Sequence, residues 1–161
     1  MRLYNIKDSY IDHLRKFDHR VCINKNATRP YVGVVYTINN IKYYLPLTSP
    51  KEKYAKLKNT KDFHKIAGGT YGAVNLNNMI PVLDTALIEI NINNHPNAQY
   101  RNLLRNQFSQ LINMKELLHR KAETLYKLCT TTANVSENDS KIKSRCCNFV
   151  LLEEKMQEYV C

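Results

Sequence analysis

The sequence predicts an α+β fold: a compact, highly curved antiparallel β core, small and barrel-like, with flanking helices that include a long helix in the second half. Three observations predict it. A Val- and Tyr-rich pair of runs, 31–38 and 41–47, is joined by Asn39-Asn40, a two-residue hairpin signal. Short apolar runs between turns follow over 73–92, as in a strongly bent sheet. From Gln99 to Leu128 the apolar residues recur at helical spacing.

The elements follow in order. Leu3 to Ile6 reads as a first strand. Ser9 to Phe17 reads as a short helix, with Tyr10, Leu14 and Phe17 on one face and Asp8 or Ser9 as its cap. A polar loop spans 18–28. Pro30 and Pro46 mark the ends of the central hairpin. Residues 51–59 form a short helix or an ordered loop, and Gly68-Gly69 breaks the chain. Two or three short strands lie within 73–82 and 86–92, turning at Asn77-Asn78, and 93–97 divides the halves. Leu104, Phe108, Leu111, Leu118, Ala122 and Leu125 then form the stripe of one long helix, or of two broken near Asn113, where Lys115 interrupts. Residues 129–144 read as a Thr/Asn/Ser-rich loop. Phe149, Leu152, Met156 and Tyr159 share a face of a C-terminal helix. The 161 residues suit one domain, 1–161, with room for a core of its own.

Charge narrows the function. Against 24 Lys and Arg stand 14 Asp and Glu, a net +10, which calls for an anionic partner, nucleic acid before membrane. No apolar run nears the about 18 residues of a membrane span, and no secretory leader opens the chain. A cytoplasmic protein is expected. Five Cys without a CxxC spacing fit reduced thiols better than a disulfide framework or structural zinc. No metal or cofactor motif is present, and Walker, GxGxxG, HExxH and GxSxG signatures are missing.

The basic residues cluster. Lys51, Lys53, Lys56, Lys58, Lys61 and Lys65 crowd residues 51–65, with Tyr54, Phe63 and His64 among them. Lysines meet phosphates and rings stack on unpaired bases, so this mixture suits RNA. Arg101, Arg105, Lys115 and Arg120 make the polar face of the long helix net positive. Lys141, Lys143 and Arg145 form a third cluster. Together these are the expected RNA-binding residues, and Tyr71 joins Tyr54 and Phe63 as a ring for base selection.

One segment points to chemistry. Leu47-Thr48-Ser49-Pro50-Lys51 ends an apolar strand with two hydroxyls, a fixed turn and an ammonium. Such a turn aims hydroxyls, backbone N–H groups and a cation at one phosphate. The same pattern also fits a plain Ser/Thr turn at a strand end, and a non-catalytic RNA-binding module is the alternative reading of the whole chain.

Tyr31-Val-Gly-Val-Val35, Tyr43-Tyr-Leu-Pro-Leu-Thr-Ser-Pro-Lys51, Asn75-Leu-Asn-Asn-Met-Ile-Pro81 and Asn148-Phe-Val-Leu-Leu-Glu-Glu-Lys155 fall in the order seen in the ToxN/AbiQ/CptN endoribonuclease toxins of type III toxin–antitoxin systems, which this chain resembles almost from end to end. The resemblance implies a curved β core related to the Kid and MazF toxins. It implies metal-independent RNA cleavage at adenine-rich sites to a 2′,3′-cyclic phosphate, with no cofactor. It implies inhibition by a repeated pseudoknot RNA that the toxin processes, a protein–RNA hetero-oligomer, and a role in phage defence. The family's active-site residues map onto Thr48, Ser49 and Lys51, and a family Lys before the Tyr31 strand is Arg29 here. A tyrosine found a few residues earlier in some members meets Asn24-Lys-Asn-Ala-Thr28.

Overall fold

Asn39 and Asn40 both take positive φ, 48° and 64°, the backbone that a tight two-residue hairpin requires and that Asn tolerates. They join β2 (Tyr31–Ile38) to β3 (Ile41–Thr48), which pair antiparallel from Ile38–Ile41 back to Tyr31–Pro46, with a register shift between Gly33 and Tyr36. The computed structural model describes residues 1–161.

Around this hairpin a seven-stranded antiparallel sheet assembles. β1 (Arg2–Ile6) pairs with β2 on one side and β7 (Leu87–Glu89) on the other. The far side of β3 is shared: β6 (Ile80–Pro81) pairs with Tyr43 and Tyr44, while β5 (Ala73–Asn75) pairs with Leu47 and Thr48. β4 (Phe63–Lys65) completes the edge beyond β5. The strand order is β4-β5-β3-β2-β1-β7, with β6 off this path, and the sheet is open, ending at β4 and β7.

Pro46 lies inside β3 rather than at its end. Leu47 N–H donates to Pro30 O at 2.9 Å, so the donor that Pro46 lacks falls where the neighbouring strand changes from β6 to β5 and no ladder bond is lost.

Five helices flank this sheet. α1 (Asp8–Arg15) buries Tyr10, Ile11 and Leu14. Its cap differs from expectation: no side chain caps it, and Asp8 Oδ1 instead accepts from Asn24 Nδ2 (2.7 Å) and Ala27 N (2.8 Å). The long periodic segment is two helices, α2 (Ala98–Asn113) and α3 (Lys115–Thr130), broken at Met114. The second half of the expected 129–144 loop forms α4 (Glu137–Arg145). Ser136 Oγ accepts from Asp139 N at 3.1 Å, a Ser-x-x-Asp start that outweighs the polar composition. α5 (Phe149–Gln157) buries Phe149, Leu152 and Met156. α3 lies directly against β2, and α5 against β6. The stripes of α2, α3 and α5 join the inner sheet residues in one apolar cluster. All five cysteines are free thiols, and no helix is long and apolar enough to cross a membrane.

Candidate active site

The last residue of β3, the turn after it, and the loop before β2 meet at one cleft of about 350 Å³. Arg29, Thr48, Ser49 and Lys51, read from the sequence as one group, all line it, and no Asp or Glu does. The local sequence explains the convergence. β2 and β3 are adjacent and antiparallel, so the residue entering β2 and the residue leaving β3 lie at the same end of the sheet.

The four side chains are not equivalent. Lys51 is exposed and has no carboxylate partner. Ser49 is exposed and its hydroxyl is unengaged. Arg29 Nε donates to Ile23 O (2.8 Å) and one Nη to Leu47 O (3.4 Å); this fixes the guanidinium against backbone and leaves its other Nη without a protein partner. Thr48 is 8% exposed. Its Oγ1 lies 2.6 Å from Tyr54 Oη and donates to Ala73 O at 3.3 Å. The Thr48 proton is committed to the protein whichever hydroxyl donates, so Thr48 shapes the turn through that bond and does not offer its proton to a ligand.

Backbone geometry reinforces this turn. Gly72, at φ +91°, packs so close that a Cβ there would lie 1.9 Å from Thr48 O. Opposite, Lys25, Asn26 and Ala27 all have positive φ, held by the Asp8 carboxylate and by Thr28 Oγ1 donating to Lys25 O at 2.6 Å. Strained loops of this kind persist only where surroundings over-determine them, and they concentrate at functional sites. Lys25 and Thr28 line the cleft, as do His95, Tyr100 and Gln107. Sequence reasoning missed these five; three of them come from beyond residue 93, which only tertiary packing brings to the cleft. No group of three or more His, Cys, Asp or Glu is placed to hold a metal ion.

The family model for the ToxN toxin of type III toxin–antitoxin systems matches residues 2–157. The chain belongs to the ToxN family. It is 36% identical over 162 residues to the endoribonuclease ToxN of Bacillus thuringiensis subsp. kurstaki, a match covering 98% of this chain and 84% of that one. It is 29% identical to the endoribonuclease AbiQ of Lactococcus lactis subsp. lactis, covering 99% and 89%. One solved structure, of a type III toxin inhibited selectively by a non-coding RNA pseudoknot, superposes with a TM-score of 0.87 at 36% identity, covering 98% of this chain and 96% of that one. AbiQ, a lactococcal anti-phage endoribonuclease, superposes at 0.82 and 28% identity, covering 98% and 96%.

In this ToxN-family chain the basic residues divide into two sets. Lys53, Lys56, Lys58 and Lys65 lie on the segment after Lys51 without ion-pair partners, and Lys53 and Lys58 line a second cleft beside the first. Lys115 and Arg120 are exposed and unpaired. Arg101 donates to His95 O (2.9 Å) and Arg105 to Asn93 Oδ1 (2.8 Å), neither to a carboxylate.

The second set is structural. Arg145 grips the buried Asp62 with Nε and Nη2 at 2.6 and 2.8 Å. Lys61 pairs with Asp139 at 2.6 Å and Lys141 with Glu137 at 3.2 Å. Lys143 donates to Thr131 O at 2.9 Å. Each member of the expected RNA-binding cluster Lys141–Arg145, and Lys61 with it, thus has a partner within the fold, although Lys141 stays exposed and Arg145, half-exposed, lines the second cleft. Tyr54 is likewise corrected: at 3% exposed, with its ring against Phe63 at 5.4 Å, it has no open face for a base. Phe63 is half-buried and lines the second cleft.

Burial alone would raise the Asp62 carboxyl; the Arg145 and Thr60 hydrogen bonds outweigh it and hold the carboxyl below the usual range. Lys121 Nζ donates to Thr60 O (2.6 Å) and lies 3.0 Å from His64 Nδ1. Burial, and then the Lys121 charge, lowers the His64 pKa.

Proposed function

We propose that residues 1–161 act as one endoribonuclease toxin domain that cuts RNA without a metal, through the substrate's own 2′-hydroxyl. The observation that carries this reading is the cleft that joins Arg29, Ser49 and Lys51 and contains no carboxylate. The relatives, named endoribonucleases, favour it.

RNA brings its nucleophile with it. The 2′-oxygen attacks the adjacent phosphorus, the P–O5′ bond breaks, and net transfer of the 2′ proton to O5′ leaves a 2′,3′-cyclic phosphate and a 5′-hydroxyl. The protein holds the in-line geometry and stabilises charge on the equatorial oxygens. Arg29, pinned by two carbonyls, clamps the phosphate. Lys51, unpaired, neutralises the developing charge or protonates the leaving oxygen. Ser49 donates its hydroxyl, and Thr48, held by Tyr54, fixes the turn.

On this reading the partners are substrate RNA and a repeated pseudoknot antitoxin RNA, which the toxin processes and which inhibits it in a protein–RNA hetero-oligomer. This follows solved neighbours described as a toxin inhibited by a non-coding RNA pseudoknot and as an antiviral system regulated by a processed non-coding RNA. The setting is the cytoplasm, and the role is phage defence, as in AbiQ.

The test is cleavage of mixed RNA in EDTA. Cyclic-phosphate ends are expected. Lys51→Ala is expected to slow cleavage by about 100- to 1,000-fold while weakening antitoxin RNA binding by less than about tenfold, because other phosphate contacts remain. A Lys51→Ala protein cutting near the wild-type rate would overturn the assignment.

A further inference from the structure

Thr48 and Lys51 line two clefts at once. Beyond the first, a second of about 470 Å³ opens along the segment after Lys51, and Phe63, Asn75 and Asn77 form part of its wall. Each cleft holds an aromatic ring and carboxamides that the fold does not satisfy.

In the first cleft the ring is Tyr100 and the amide is Gln107. Gln107 is 2% exposed. Its Nε2 donates to Tyr71 O at 2.8 Å, which fixes the orientation of the amide, while its buried Oε1 accepts from nothing. A carbonyl buried without a donor is unfavourable, and one at a cleft wall is suited to a ligand N–H. In the second cleft Asn77 is held by its backbone, its N–H donating to Asp62 O and its O accepting from Cys147 N. The side-chain amides of Asn75 and Asn77 have no protein partner, and the Phe63 ring stands beside them.

An unpaired nucleobase offers what both clefts lack: a π face for the ring and an edge of donors and acceptors for the amide. Two such seats that share a phosphate-binding border match two consecutive nucleotides with the linkage between them over Lys51. We propose that the clefts seat the two nucleotides flanking the cut, Gln107 with Tyr100 selecting the base on one side and Asn75 and Asn77 with Phe63 selecting the base on the other. This rests on the ribonuclease reading and adds to it the residues that read sequence.

The experiment measures cleavage of single-stranded RNA randomised at the two positions flanking the cut, by wild type, Gln107→Leu and Asn77→Leu. Gln107→Leu is expected to reduce base discrimination at one flank by about 10- to 100-fold, the worth of a good amide–base pair, and to leave the other flank unchanged. Asn77→Leu is expected to do the reverse. A second measurement needs no folded variant of Gln107: wild type meets a base analogue lacking the edge N–H, placed at each flank in turn. Cleavage is expected to slow at the flank whose preference Asn77→Leu leaves intact. Variants that leave both preferences intact, or that relax the same flank, overturn the proposal while the ribonuclease stands. A wild-type protein that cuts no RNA overturns both.

Discussion

Tyr54 and Arg145 carry the plainest consequences at the scale of single residues. The Tyr54 hydroxyl meets Thr48 Oγ1 at 2.6 Å, so Tyr54→Phe removes one buried hydrogen bond, about 1 kcal/mol of stability, without changing the ring. Its expected mark is a several-fold fall in kcat with KM and sequence preference unchanged, read from steady-state cleavage. Arg145→Met strands a carboxylate that is 2% exposed. The expected loss is about 3 kcal/mol at pH 7, or a fall of about 6–12 °C in Tm for a chain of this size. The sign with pH follows from the lowered Asp62 pKa. The stability that Asp62 contributes is complete above its ordinary value of 3.8 and is lost as pH falls through the lower, folded value. Without Arg145, burial raises that carboxyl, so acid relieves the variant while it harms the wild type. The difference in Tm between the two proteins is therefore expected to shrink between pH 7 and pH 3.

At the scale of elements, the end of β3 is shaped by its neighbours. Gly72→Ala drives a methyl toward Thr48 O, 1.9 Å from an ideal Cβ, whereas Gly68→Ala, also at positive φ (64°), meets nothing within 4 Å. Both lose about 1 kcal/mol to backbone strain. Only Gly72→Ala is expected to move the Thr48–Ser49 turn and abolish most cleavage, as paired melts and cleavage assays would show. The hairpin, the split long helix and the Leu47–Lys51 turn are legible in the sequence because each is encoded locally, by Asn39-Asn40, by apolar spacing and by a strand running into Thr, Ser and Pro. α4 was hidden behind its polar residues, although Ser136 and Asp139 spell a helix start. β4 is three residues long and owes its existence to β5. The fate of the lysines was not legible at all. Whether Lys61 faces RNA or Asp139 is decided by a contact across 78 residues of chain.

The whole molecule is a +10 body, and Lys25, Arg29, Lys51, Lys53 and Lys58, none with a carboxylate partner, line the paired clefts. RNA binding is expected to weaken steeply with salt, the slope of log affinity against log salt falling by about 0.7 for each phosphate contact removed on a single strand. Alanine at Lys53 or Lys58 is expected to reduce that slope. Alanine at Lys141, engaged with Glu137, is expected to leave it nearly unchanged. Titration of binding at several ionic strengths distinguishes them, and equal slopes would show that pairing within the fold does not withdraw a lysine from the interface.

The Arg145–Asp62 grip also orders events in time. Every residue assigned to the cut lies in the first 51 positions, but the loop bordering the second cleft is tied down by Lys121, Asp139 and Arg145. A ribosome that has made the hairpin and its Thr-Ser-Pro-Lys turn has not yet made these anchors. The second cleft therefore takes its final form only after the residues of the cut have long been made. Selective cutting is expected only from a chain made through Arg145, and a chain truncated before Lys121 is expected to cut without sequence preference or not at all.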